Sequence, residues 1–130
     1  MSEQRPQREW RFYIDDMIGF GKKVLSYTEG LDQISFLKHD LTYDATLRNL
    51  ELIGEAATRI PEEVRKKYPQ VPWRLVIATR NRLIHAYLGI DDDTIWSIIQ
   101  ENVPELLELL ESIRRENREA ANSKTDSSSP

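Results

Sequence analysis

PWRLVIATRNRLIHAYLG, residues 72–89, decides what class of fold this chain has. Its centre, Arg74-Leu75-Val76-Ile77-Ala78, is the only stretch with the makings of a strand, and it is short and flanked by helix-compatible residues. Pro72 stands where a proline opens a helix, because the N–H it lacks is one the first turn would leave unpaired. The segment reads as one helix from about Trp73 to His85 or a little beyond, closed by Gly89. With that reading no strand is left, and the expected class is all-α.

The flanking sequence agrees. From Trp10 to about Tyr27, Phe12, Tyr13, Ile14, Met17, Ile18, Phe20, Val24 and Leu25 recur at spacings of three and four, which draws one apolar stripe down a helix. Gly30 marks its stop. Residues 31–39 read as a short connection with room for a single helical turn. Asp40 is an N-cap candidate for a helix over about 41–59, with Leu41, Ala45, Leu47, Leu50, Leu52, Ile53, Ala56 and Ala57 as its stripe. Gly54 interrupts that helix at a cost of about 1 kcal/mol relative to alanine, so a close approach of another helix is the expected reason for it. Pro61 opens a short helix to about Lys67. Asp91, Asp92 and Asp93 precede a long helix to about Asn117, where acidic residues suit the positive end of the helix dipole. Pro104 should kink or briefly break that helix. The expected architecture is an up-and-down bundle of four to five helices over residues 1–118, followed by a disordered, polar, Ser-rich C-terminal tail over 119–130.

Composition narrows the function. A chain of 130 residues is one domain with a real core. It has no cysteine, hence no disulfide framework and no thiolate metal site, which fits a cytoplasmic protein. The opening MSEQRPQREWRF has no apolar h-region, and no apolar run approaches the ~20 residues that span a bilayer. Net charge is −4, with 14 Lys+Arg against 12 Asp+Glu over residues 1–90, and 4 against 10 over 91–130. That balance argues against holding RNA by bulk electrostatics and leaves room for a local basic groove.

Such a groove is suggested at Arg80-Asn81-Arg82-Leu83-Ile84-His85-Ala86-Tyr87, which puts a permanent cation, an amide, an imidazole and a phenol within two helical turns. Only two histidines occur in the chain, His39 and His85. Arg80 can stabilise charge on a phosphate, and His85 can move protons near neutral pH. On a regular helix Asn81 and His85 are i and i+4 neighbours, so the amide could orient the ring. Arg80 and His85 stand about 140° apart on such a helix, a gap a long arginine can close. A bland reading is also open: basic residues near a helix C-terminus are favoured by the dipole alone. The three aspartates at 91–93 read as a helix-start cluster and not as a metal site. Trp73 and Trp96 read as core residues before they read as base-stacking ones, His39 as a loop residue, and Glu62 to Lys67 as a solvated helix face.

The run from Pro72-Trp73-Arg74 through Arg80-Asn81-Arg82-Leu83-Ile84-His85-Ala86-Tyr87 to Ile90-Asp91 resembles the HepT family, also known as DUF86, within the HEPN superfamily of helical ribonuclease domains. The family's R-x4-H-x-Y pattern is matched by Arg80, His85 and Tyr87. Arg48-Asn49-Leu50-Glu51-Leu52-Ile53-Gly54-Glu55-Ala56 resembles its middle helix, and the likeness covers roughly residues 8–117. The resemblance implies the toxin of a two-gene toxin–antitoxin system: a homodimer that cleaves RNA without a metal or other cofactor, through Arg80 and His85 with Asn81 in support. It implies as partner a minimal nucleotidyltransferase antitoxin of the MntA kind, which transfers AMP to Tyr87. The alternative is a non-catalytic helical dimer that binds and regulates the nucleotidyltransferase. A purely structural bundle would leave the polar cluster at 80–87 unexplained.

Overall fold

The computed structural model describes residues 8–85 and 90–127, with side chains as far as residue 122. Helices run over Trp10–Thr28 (α1), Gln33–Lys38 (α2), Asp40–Thr58 (α3), Glu62–Lys67 (α4), Trp73–Ile84 (α5), Asp92–Ser97 (α6) and Val103–Ser127 (α7). A π-helical turn, Ile98–Asn102, joins α6 to α7, so the last three elements form one continuous rod. No strand occurs among the described residues, and the Arg74–Ala78 stretch lies within α5. No helix among them is long and apolar enough to cross a membrane.

The bundle is layered in the order α5, α3, α1, α7, with α3 packed against both α1 and α5, and α7 laid along α1. Ile14, Met17, Ile18 and Val24 of α1 meet Leu50, Ile53, Ala56 and Ala57 of α3, and Ile99, Val103, Leu106, Leu107, Leu110 and Ile113 complete the core. Each fully buried aliphatic side chain of this kind contributes roughly 1.5–3 kcal/mol. The periodicity places these residues correctly, with two exceptions at its edges. Leu41, assigned to the stripe of α3, is 84% exposed, and Phe12 of α1 is 52% exposed. Thr46 and Asn49, polar and outside the expected stripe, are buried instead.

Helix ends depart from expectation in instructive ways. Gly30 closes α1 with φ +76°, the left-handed conformation that spares glycine a Cβ clash. The single turn allowed over 31–39 is α2, started by Asp32, whose carboxylate accepts from the Ser35 N–H at 2.8 Å. Because α2 ends at Lys38, the residue before α3 is His39, and Asp40 is the first helical residue and not the cap. Arg65, grouped with a solvated face, is committed to α3: its guanidinium donates to the carbonyls of Ile60 (3.0 Å), Ala57 (3.2 Å) and Thr58 (3.3 Å). It thereby satisfies acceptors that the end of a helix leaves without partners.

The brief break expected around Pro104 is the π turn Ile98–Asn102, and Pro104 itself is the second residue of α7. A proline has no N–H to give and its ring crowds the carbonyl four residues back. The chain widens just before it: the N–H of Val103 reaches the carbonyl of Ile98, five residues away, in the π turn. Helix α7 then continues to Ser127, past the 118/119 boundary drawn from sequence, and residues 119–122 are exposed.

The contact between α3 and α5 is the tightest in the molecule's described glycines. A Cβ on Gly54 would run into the Cβ of Arg80, and would come within 2.9 Å of its Cγ and 3.0 Å of the carbonyl oxygen of Val76. The close approach expected of Gly54 is therefore present, and Arg80 is what approaches. Gly54→Ala gains about 1 kcal/mol in helix propensity, against about 1–3 kcal/mol for overpacking a contact that cannot relax. Because the obstacles are a backbone oxygen and a side-chain stem, we expect a net loss of about 1–2 kcal/mol, read as a lower urea midpoint at unchanged m-value.

Candidate active site at the end of helix α5

Helix α5 is anchored at its start. Trp73 is buried and its indole N–H donates to the carbonyl of Tyr68 at 3.0 Å. Tyr68 is itself buried, its hydroxyl donating to Glu116 and accepting from Asn117, both at 3.3 Å. Trp73 is the only buried residue of α5. Trp96 stacks on Phe36 with ring centroids 5.4 Å apart, so both tryptophans serve packing.

Arg80 lies on the flank of α5 that meets Gly54, half-buried. Its Nη1 donates to the side-chain oxygen of Asn81 at 2.8 Å. Its Nε is buried and has no acceptor among the described residues. A buried guanidinium N–H without a partner costs roughly 1–3 kcal/mol, more where charge is involved. The stem is therefore fixed by packing while the head keeps donor capacity for an anion.

Asn81 is exposed. Its amide oxygen serves Arg80, and its backbone carbonyl accepts from the N–H of His85 at 3.2 Å. It thus holds the arginine by side chain and the histidine by backbone. Helix α5 stops at Ile84, earlier than expected, and His85 follows with φ −94° and ψ 83°. The ideal-helix angle between Arg80 and His85 no longer applies, since the imidazole stands on a residue that has left the helix and is exposed. Tyr87, and Gly89 that was to close the helix, lie outside the described residues.

After the site the chain re-enters a helix at Asp91. Its carboxylate accepts from the Thr94 N–H and from the Thr94 hydroxyl, each at 2.9 Å. These bonds, with a smaller contribution from the nearby Arg82 charge, hold the Asp91 carboxyl below its ordinary range. The 91–93 cluster is thus a helix start, as its composition suggests. Asp93 accepts from Gln33 at 2.7 Å, tying α6 to α2. Among the described residues no group of three metal-ligating side chains converges.

Beside the site, a groove of about 260 Å³ runs between α5 and the α6–α7 rod. Leu50 and Ile53 of α3 form its floor, and Arg82 stands at its rim. Nothing in the sequence reading anticipated it, because it depends on α5 leaning on α3 and not on α7.

The family model for HepT-like ribonucleases matches residues 17–113. The chain belongs to the HepT-like ribonuclease family. Relatives in the curated collection agree. A protein of Methanocaldococcus jannaschii, named as a candidate RNase, is 37% identical over 108 residues, 83% of this chain and 89% of that one. A second from the same organism, similarly named, is 32% identical over 108 residues, covering 83% and 93%. A protein of Thermococcus cleftensis named "Probable ribonuclease HepT" is 32% identical over 109 residues, covering 84% and 99%. No solved structure matches the chain significantly.

The caps on either side of the HepT-like motif carry a pH signature. Asp32 and Asp91 both have carboxyls depressed in the folded state, chiefly by the backbone N–H bonds of Ser35 and Thr94. A depressed carboxyl stabilises the fold above its unfolded value and loses that contribution as pH falls through the folded one. Stability should therefore decline below about pH 4, and Asp91→Ala should be less stable at neutral pH with a shallower acid-side decline, measured by urea unfolding across pH.

Proposed function

We propose that this chain is a metal-independent endoribonuclease and the toxin of a toxin–antitoxin pair, cutting RNA with Arg80 and His85. The observation that carries the reading is the state of Arg80. Its stem is seated on Gly54, one nitrogen is held by Asn81, and its Nε–H is buried without an acceptor among the described residues, five residues before an exposed imidazole. That is a cation prepared for an anion beside a group that can exchange protons. Membership of the HepT-like family supports the same chemistry.

The steps follow from these groups. One imidazole takes the proton of a ribose 2′-OH, and the 2′-oxygen attacks the adjacent phosphorus. Arg80 donates to the non-bridging oxygens as negative charge builds on them. The P–O5′ bond breaks, and the departing oxygen takes a proton from an imidazolium. The products are a 2′,3′-cyclic phosphate and a 5′-hydroxyl, and the need for a 2′-OH makes the substrate RNA. With one useful histidine per chain, a two-fold homodimer supplies the second imidazole. Ile84, exposed and next to His85, gives such a dimer an apolar contact at the site.

In this reading Tyr87 is the point of control. A minimal nucleotidyltransferase partner transfers AMP from ATP to its hydroxyl, releasing pyrophosphate. The new phosphodiester places negative charge two residues from His85, where it competes with RNA for Arg80. The second reading, a non-catalytic dimer that regulates the nucleotidyltransferase, draws on the net charge of −4.

Induced expression without the partner distinguishes the two. Wild type should arrest growth and leave RNA fragments with 2′,3′-cyclic phosphate ends. His85→Ala should lose at least about 100-fold in cleavage rate and be harmless. Equal harmlessness of both proteins would favour the regulatory dimer. Incubation with the partner and ATP should add the mass of AMP to wild type and none to Tyr87→Phe; addition to the variant would move the acceptor elsewhere.

A further inference from the structure

The groove between α5 and the α6–α7 rod has polar groups in specific places. Its walls are aliphatic, with Leu75 and Val76 facing Ile98 and Val103. Polar residues stand on both long sides: Thr79 and Arg82 on α5, Thr94, Asn102 and Glu105 on the rod. At about 30 Å³ per water, 260 Å³ holds roughly nine waters, or about the heavy atoms of one nucleobase. That is small for the row of side chains a docking helix inserts, and five polar residues around it suit a flat heteroaromatic ring better than an aliphatic stripe.

Its position is as informative as its size. Pro72, Leu75, Thr79 and Arg82 follow one flank of α5, and Arg82 is three residues before His85, about 4.5 Å of helical rise. The rim of the groove and His85 thus lie at the same end of α5. Acceptors stand on both long sides, and the Asn102 amide both accepts and donates. The Thr79 hydroxyl already donates to the Leu75 carbonyl at 2.8 Å, so its oxygen can only accept. A carboxylate at Glu105 can only accept. Neither Asn102 nor Glu105 has a polar partner among the described residues. Arg82 stands at the rim, where its charge makes the smallest of the contributions that lower the Asp91 carboxyl.

We propose that this groove is a base-binding subsite of the RNA site and that it selects guanine. The inference rests on the ribonuclease reading and adds to it a substrate preference. Guanine presents N1–H and N2–H₂ side by side, two donors that a carboxylate accepts together. Adenine presents an amine next to a ring nitrogen whose lone pair faces the Glu105 carboxylate unfavourably. Uracil and cytosine fill less of the aliphatic slot. The carboxylate stays on the base edge, away from the phosphates that it would repel.

The test uses the full chain with His85→Ala, so that RNA is bound and not cut. Fluorescein-labelled five-nucleotide RNAs, uridine throughout except for G, A or C at the centre, are titrated by anisotropy. The G-centred RNA should bind about ten-fold more tightly than the A-centred one. Glu105→Gln, at an exposed position, should remove that difference. Leu75→Trp fills the groove from a residue 57% exposed, so it leaves the core alone; it should weaken the G-centred RNA to the level of the others, with the circular dichroism spectrum unchanged. Equal affinity for all three RNAs, or no effect of either variant, overturns the subsite, and leaves the ribonuclease reading standing if wild type still cuts RNA. Conversion of a dimer to a monomer by Leu75→Trp in sedimentation would assign the groove to the second copy and overturn it equally. If wild type cuts no RNA and no oligonucleotide binds, both readings fall together.

Discussion

The rest of the structure depends on the absence of a side chain at Gly54. There α3 and α5 come close enough that the stem of Arg80 occupies the space a Cβ would take. A helix interior normally disfavours glycine because its backbone has the most freedom to lose. Here that cost secures a fixed origin for a long, otherwise mobile cation. Arginine has several rotatable bonds, and ordering them on binding an anion would weaken the interaction. Packing the first two carbons against α3 and holding one nitrogen through Asn81 settles much of that ordering in advance.

Around this contact the molecule divides into a packed body and a working edge. Helices α1, α3 and α7 carry the core, and Arg65 and Asp32 close helix ends that would otherwise leave polar groups unmet. The edge is α5 and the segment after it, held by Trp73 at one end and by the Asp91 cap beyond the other. The π turn before Pro104 sits opposite α5, with Ile98 and Asn102 in the groove wall. A proline that the helix cannot accept in ordinary geometry is met by widening one turn, and that turn faces the site.

Much of this was legible in the residues themselves. Stripes at spacings of three and four located the helices, Gly30 marked a stop, and the one candidate strand, residues 74–78, resolved to helix because Pro72 and its neighbours favoured one. Gly54 was legible as a close approach, though not as an approach by Arg80, since sequence gives no partner across helices. Periodicity misjudged Leu41, which sits in the first turn of α3 where the neighbouring helices have ended. It also passed over Thr46 and Asn49, because burial there follows from geometry and not from polarity; Asn49 is accommodated by donating to the Ala45 carbonyl at 2.8 Å. The site motif was visible as residue types at a spacing. The end of α5 at Ile84 and the pairing of Asn81 with Arg80 were not, since both are set by how a helix stops.

Helix α5 leans on α3 along one side only, and that has a consequence for how its sequence is to be understood. Residues on a packed face answer to the fold; residues on a free face answer to whatever meets the protein from outside. Leu75 and Ile84 lie nine residues apart, on nearly opposite sides of α5 by helical rotation, and are 57% and 44% exposed. In the readings proposed above, one flank of α5 answers to a base and the other to a second copy of the chain.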